Sequence, residues 1–186
     1  MKKPLGYLAG DIMSKGAELQ RKEEYEAFLK LNLPVDVYSP IMNKSINDKS
    51  SMTVEENNKL AEKIVAADID RLWNSDFVVL EPLQHAIGTM CEVGTLYGWK
   101  YLCDKLLELE PEEIKKELEK ISKKNIFCHY YDLRTNHLPE IDFRRSFGIN
   151  QMLYGMVLYI AKNGDFESFD KILEDLSKLY KEQNHE

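Results

Sequence analysis

The chain reads as an α/β protein, a three-layer sandwich with a parallel sheet between helices, on two observations. Short apolar runs alternate with longer segments of helical period, and the strongest run, DFVVLEP at 76 to 82, is a compact buried-strand pattern bounded by Asp and Pro. Strands joined through helices run parallel, which gives a flavodoxin/Rossmann-like sheet with helices on both faces.

The elements follow in order. LGYLA at 5 to 9 is a strand ended by Gly10-Asp11, and a helix begins near Gly16 in AELQRKEEYEAFLKL, stopped by Pro34. VDVYS at 35 to 39 alternates as a strand does, and Pro40 opens a polar loop, IMNKSINDKSSM, longer than a connector needs to be. Thr53 with Glu56 matches a capping box that starts one long helix to about Asn74. After the 76 to 82 strand, Thr89 to about Lys100 is helical, and NIFCHYYD at 125 to 132 is a further strand. Between them lies LELEPEEIKKELEKISKK, read as a solvated surface helix inserted at about 105–124 rather than a binding element. An apolar helix runs from Phe143 to Lys162, and a charged helix closes the chain at about 167–182.

With 186 residues and 44% hydrophobic content, the chain can enclose one core, so residues 1–186 form a single domain. The net charge of -7 argues against a nucleic-acid polymer, which needs clustered Lys and Arg. A small neutral or anionic ligand stays open because a local pocket overrides the global field. Cys91, Cys103 and Cys128 have neither disulfide nor zinc spacing and read as reduced core residues. MKKPLGYLAGD reaches Asp11 before any apolar stretch is long enough for a signal peptide, and no run is long enough to span a membrane. A cytoplasmic location and no membrane partner are expected.

In parallel sheets the ligand crevice lies at the carboxyl ends of the strands. That rule selects Gly10 to Met13, including Asp11; Pro40 to Asn47, including Asn43 and Lys44; and Leu83 to Glu92, including His85 and Gly88. Asp68 draws notice first. On a helical wheel it falls on the apolar stripe of Leu60, Ala61, Ile64, Val65 and Leu72, with Asp70 on the polar side. A carboxylate there costs several kcal/mol in order of magnitude without compensation. Either a structural hydrogen bond or a ligand crevice with a raised pKa accounts for it.

Glu92 stands just after the buried strand in HAIGTMCEVGTLYG, within the first turn or so of the next helix, where backbone amides favour an ionised carboxylate. Such a residue is common there for dipole reasons alone. The pair says more: two carboxyls in differently polar settings across one cleft can divide the work of cleaving a glycosidic bond, one protonating and one attacking. Tyr7, ending the first strand, can donate a hydrogen bond to one of them. Cys91 reads as a small core residue before a thiol nucleophile, and His85 lacks a Ser or Cys partner at motif spacing. Gly94 and Gly98 read as close helix packing. Neither a Walker motif nor GxGxxG is present.

The ordered set Y-L-A-G (Tyr7 to Gly10), A-D-I-D-R-L-W-N-S-D (Ala67 to Asp76), G-T-M-C-E-V-G (Gly88 to Gly94) and I-N-Q-M-L-Y-G (Ile149 to Gly155) resembles the nucleoside 2-deoxyribosyltransferases. The resemblance spans most of residues 5 to 160 but not the charged insertion or the final helix. It implies that Glu92 is the nucleophile, that Tyr7 orients it and that Asp68 manages the proton on the base. It further implies that Asn150 and Met152 complete a neighbour's site in a homo-oligomer, and that the loop at Asn43 and Lys44 meets the base. The partners implied are a small-molecule nucleoside and a free base, with no cofactor and no metal. One departure is Ala86, where the family usually carries an aspartate six residues before the nucleophile, with His85 beside it and Asp11 a further possible substitute. Two other readings follow from it: an N-glycosidase that uses water as acceptor on nucleosides or their 5′-monophosphates, with Lys44, Ser45 and Arg134 as phosphate donors, and a nucleoside-binding protein without turnover.

Overall fold

A computed structural model describes residues 3–47, 53–129 and 149–182. It is an α/β structure built on a three-stranded parallel sheet. Strand β1 (Leu5–Ala9) lies in the middle, between β2 (Asp36–Tyr38) and β3 (Phe77–Leu80). Tyr7 is the register partner of Tyr38 on one side and of Val78 on the other. Because the chain leaves β1 first to one side and then to the other, the connections diverge at the carboxyl ends of β1 and β3, the place where such sheets open a crevice.

Alternation along the strands decides which helix meets which face. Tyr7 and Ala9 are buried with Leu72, and Tyr38, Ile69, Val78, Leu80, Leu96 and Trp99 pack around them. This face therefore meets α4 (Leu60–Trp73) and α5 (Ile87–Leu106). Phe77, one residue out of phase with Val78, meets Phe28 of α1 (Lys15–Lys30), with ring centroids 6.3 Å apart. Gly6 is glycine for a local reason: a Cβ there would stand 2.3 Å from the Phe77 ring.

Helix α1 starts at the Ser14 cap, whose hydroxyl accepts from Ala17 N. It ends before Pro34, at Asn32 in the left-handed region (φ 47°), a conformation that Asn tolerates better than most residues. The Thr53–Glu56 capping box forms in both directions: Thr53 Oγ1 accepts from Glu56 N and Glu56 Oε2 from Thr53 N. The single long helix expected after it is two, α3 (Val54–Asn58) and α4, interrupted at Lys59, whose ψ of 7° leaves the helical range. The segment from Pro40 is likewise more ordered than the loop expected. A 3-10 turn (Pro40–Met42) and α2 (Lys44–Asn47) are tied together by the Asn47 amide, which donates to Pro40 O and Ile41 O.

Helix α5 begins two residues before Thr89 and runs six past Lys100. The charged insertion is α6 (Pro111–Ser122), with no buried residue. It starts with Glu110 and Glu113 in a reciprocal cap. The strand expected at 125 to 132 does not form over its described part. Ile126 O and Cys128 O instead accept from Lys162 N and Glu167 N, so this stretch lies against the chain after α7 and not in the sheet. Residues 130–148, including Arg134 and the expected helix start at Phe143, lie outside the described residues.

Helix α7 (Gln151–Ile160) packs on α4 through Gly155, whose Cβ would stand 2.5 Å from Ala61 O. Gly94 and Gly98, the expected packing glycines, have nothing within 4 Å of a built Cβ, because they lie on the outer face of α5. The cysteines are free, but Cys103 is exposed and Cys91 and Cys128 are half-buried, so none is a core residue. Helix α8 (Phe169–Glu182) closes the described chain. No helix among the described residues is long and apolar enough to cross a membrane.

Candidate active site

Two buried carboxyls, each hydrogen-bonded by one tyrosine, are brought together on the face of the sheet that meets α4 and α5. Glu92 is the sixth residue of α5, on the stripe Thr89, Glu92, Leu96, Trp99 that turns toward the sheet at helical spacing. Its side chain is buried, and Tyr7 Oη donates to its Oε1 at 2.5 Å. Asp68 is buried on the inward stripe of α4, as the wheel placed it, with Asp70 exposed. Tyr38 Oη donates to Asp68 Oδ1 at 3.0 Å. The two tyrosines touch, with ring centroids 5.5 Å apart, because they are register partners; Tyr38 ends β2, but Tyr7, expected at the end of its strand, is the middle residue of β1, whose pairing with β3 continues to Ala9.

The electrostatics follow from burial. Removal from water pushes Glu92 up to about 7. The Tyr7 hydrogen bond opposes that shift, and the charge of Asp68 adds to it. Burial pushes Asp68 up to about 6, with the Tyr38 hydrogen bond again opposing. Both phenols are driven well above their ordinary value, first by burial and then by these carboxyls, so they remain hydrogen-bond donors. The helix-end amides expected to keep Glu92 ionised do not carry that role. The carboxylate lies in the second turn of α5, beyond the unpaired amides, and desolvation outweighs the dipole.

The other expected residues divide into three groups. Asp11 is buried at the end of β1, accepts from Met13 N at 3.1 Å and lies 3.5 Å from Nε2 of the largely exposed His85. Asn43 joins the centre through Tyr38, to whose hydroxyl its amide donates at 3.1 Å. Lys44 is exposed on α2 beside it. Gly88 and Met152 face each other: a Cβ on Gly88 would stand 4.0 Å from that of Met152, which is buried within its own chain. Asn150 caps α7, its Oδ1 accepting from Met152 N and Leu153 N. Ala86, where the aspartate was expected, is buried and begins α5 without a side-chain cap.

Comparison with protein-family models, with curated proteins and with solved structures found no match.

Sequence reasoning passed over three residues. In the sequence Tyr38 is only one member of an alternating strand; its place at that strand's end, before a polar loop, is the one signal that marks it. Arg21 is one charged residue among many in the helix that begins near Gly16, yet it is buried at the carboxyl edge of the sheet, donating to Ala9 O, Glu24 and Glu81. It is the reason for Gly10, where a Cβ would stand 2.2 Å from the guanidinium. Ser39, buried immediately after β2, completes this edge. Among the described residues no group of three or more His, Cys, Asp or Glu is arranged to hold a metal ion.

Proposed function

We propose that the chain is a nucleoside 2-deoxyribosyltransferase, an enzyme that exchanges the base of a 2′-deoxynucleoside through a covalent deoxyribosyl–Glu92 ester. The observation that carries this reading is the pair of buried carboxyls, Glu92 and Asp68, each held by its own tyrosine on one face of a parallel sheet. The strand order β2-β1-β3 supports the three-layer, flavodoxin-like sandwich as the setting.

With Oε1 engaged by Tyr7, Glu92 attacks the anomeric carbon through Oε2. The C1′–N bond breaks as the C1′–O bond forms. Its electron pair goes to the base, and the Asp68 proton goes to the base nitrogen. In the second half an incoming base attacks C1′, Glu92 leaves as carboxylate, and Asp68 takes the incoming base's proton. Two inversions restore the β configuration. The oxocarbenium character of the transition state favours deoxyribose, because a 2′-hydroxyl withdraws electron density.

Self-association belongs to the same reading. Asn150 and Met152 are engaged within their own chain, while Tyr159 and Ile160 leave apolar surface on α7 for a neighbour. A second reading, hydrolysis of the same bond, has one observation in its favour: a buried methyl, that of Ala86, stands where the family it resembles usually carries an aspartate, and so changes what that position offers to the sugar or the base. Mass spectrometry of the protein mixed with a deoxynucleoside and no acceptor tests the reading. A deoxyribosyl adduct on the peptide containing Glu92, absent in Glu92→Ala, is expected; absence of any adduct, with no base exchange in parallel assays, rejects it. Base release that is equal with and without a second free base selects the hydrolase.

A further inference from the structure

A directed row of hydrogen bonds ends on Asp68 and is not used by the reaction as described above. Ser45 Oγ donates to Asn43 Oδ1 at 2.6 Å, Asn43 Nδ2 donates to Tyr38 Oη at 3.1 Å, and Tyr38 Oη donates to Asp68 Oδ1 at 3.0 Å. Each step has one sense. An amide nitrogen can only donate, so it occupies an acceptor site on the phenol oxygen and leaves the single phenol proton to Asp68. We propose that Tyr38 is a positioning residue that reserves Asp68 Oδ2 for the transferable proton and, through Asn43, ties the readiness of that acid to the segment of residues 40–47.

The geometry allows little else. The Tyr38 ring is fixed by its register partner Tyr7 on one side, and the Arg71 guanidinium stands 5.4 Å from its centroid. It cannot turn its hydroxyl away from Asp68 without losing the Asn43 bond. With Oδ1 already an acceptor, the neutral carboxyl carries its hydrogen on Oδ2, one defined oxygen and not either of two. A base that displaces Asn43 from Tyr38 weakens the row. A base that leaves it in place meets an acid already oriented. The ionisable groups acting on Asp68 are Tyr38 from β2, Tyr7 from β1 and Glu92 from α5, with Arg71 acting through the Tyr38 ring.

The inference rests on the transferase reading for its meaning, so its test separates the two. Tyr38→Phe removes only the hydroxyl. Because that hydrogen bond favours the ionised carboxyl, its loss raises the Asp68 midpoint by roughly one unit, and the optimum of base exchange, midway between the two carboxyls, moves to higher pH by about half a unit. The deoxynucleoside KM is expected to stay within about twofold, the exchange falling in kcat. Asn43→Ala is expected to shift the optimum in the same direction by less, and the exposed Tyr97→Phe not at all.

Carbon-detected NMR titration of labelled Asp carboxyls, with Asp68 identified by its loss in Asp68→Asn, follows the same group without any substrate. If the Asp68 midpoint and the pH optimum both stay in place in folded Tyr38→Phe, the positioning role is overturned while the transferase reading stands. If the midpoint moves but wild type neither exchanges nor releases a base, the reading falls and the hold of Tyr38 on Asp68 stands. Should Tyr38→Phe fail to fold, Asn43→Ala decides by the same two readouts.

Discussion

At the scale of single residues, the decisive quantity is the proton shared by Glu92 and Asp68. Their proton affinities, about 7 and about 6, lie close together, so between these values the pair holds one proton and one charge. The higher affinity puts that proton mainly on Glu92, so the proposed reaction draws on the minority arrangement of the same pair, Glu92 ionised and Asp68 protonated, which is also most populated between these values. Below that range both carboxyls are neutral and the nucleophile is lost; above it both are ionised and the acid is lost. The expected profile of kcat/KM is therefore a bell centred between pH 6 and pH 7, measurable by base exchange across pH 4 to 9 in a constant-ionic-strength buffer. A profile flat across that window would separate the chemistry from this pair. Asp68 was legible in the sequence because a carboxylate on an apolar stripe demands compensation. The identity of its partner was not, since a hydrogen bond between residues 30 positions apart depends on how β2 lies beside α4.

At the scale of elements, helix periods were legible wherever one face is apolar and the ends carry caps, as the Thr53–Glu56 box shows. Errors arose where a local pattern has two solutions. The apolar run at 125 to 129 fits a strand, but its carbonyls find their donors in the segment after α7. Two glycines four apart on α5 looked like a packing seam, yet the close approach belongs to Gly155, where α7 meets α4. There a methyl group would press on the Ala61 carbonyl, a backbone atom that cannot rotate aside. Gly155→Ala is expected to destabilise the fold by about 3 kcal/mol, the upper part of the range for overpacking. Gly94→Ala, facing open space inside a helix, is expected to stabilise by about 0.5 to 1 kcal/mol. Urea unfolding of the two variants measures both values, and equal effects would refute the assignment of the contact.

At the scale of the whole molecule, the site is a cost that the fold carries. The Glu92 carboxyl binds its proton more tightly folded than unfolded. Its contribution to stability is thus complete below about pH 4.3 and lost as pH rises through about 7. Glu92→Gln removes the buried charge and keeps an acceptor for Tyr7. At pH 8 it is expected to gain about 3 kcal/mol, a Tm rise on the order of 5 to 10 °C, and at pH 5 only about 1 kcal/mol. Thermal melts at the two pH values check this, and a gain that does not depend on pH would show that ionisation of Glu92 is not the source. Activity and stability are expected to move in opposite directions here, as they do where catalysis requires a desolvated charge.

Residue pattern along the chain was enough for the parallel α/β class, the capped helices, the inward face of Asp68 and the short list of loops that could meet a ligand. These follow from periodicity and from the chemistry of strand ends, which are local properties of the chain. It took the packed fold to pair Tyr38 with Asp68, to bury Arg21 beside Gly10 and to set Met152 against Gly88. Each is a meeting of residues from different elements, fixed by strand order and by side-chain packing, and no spacing along the chain encodes it.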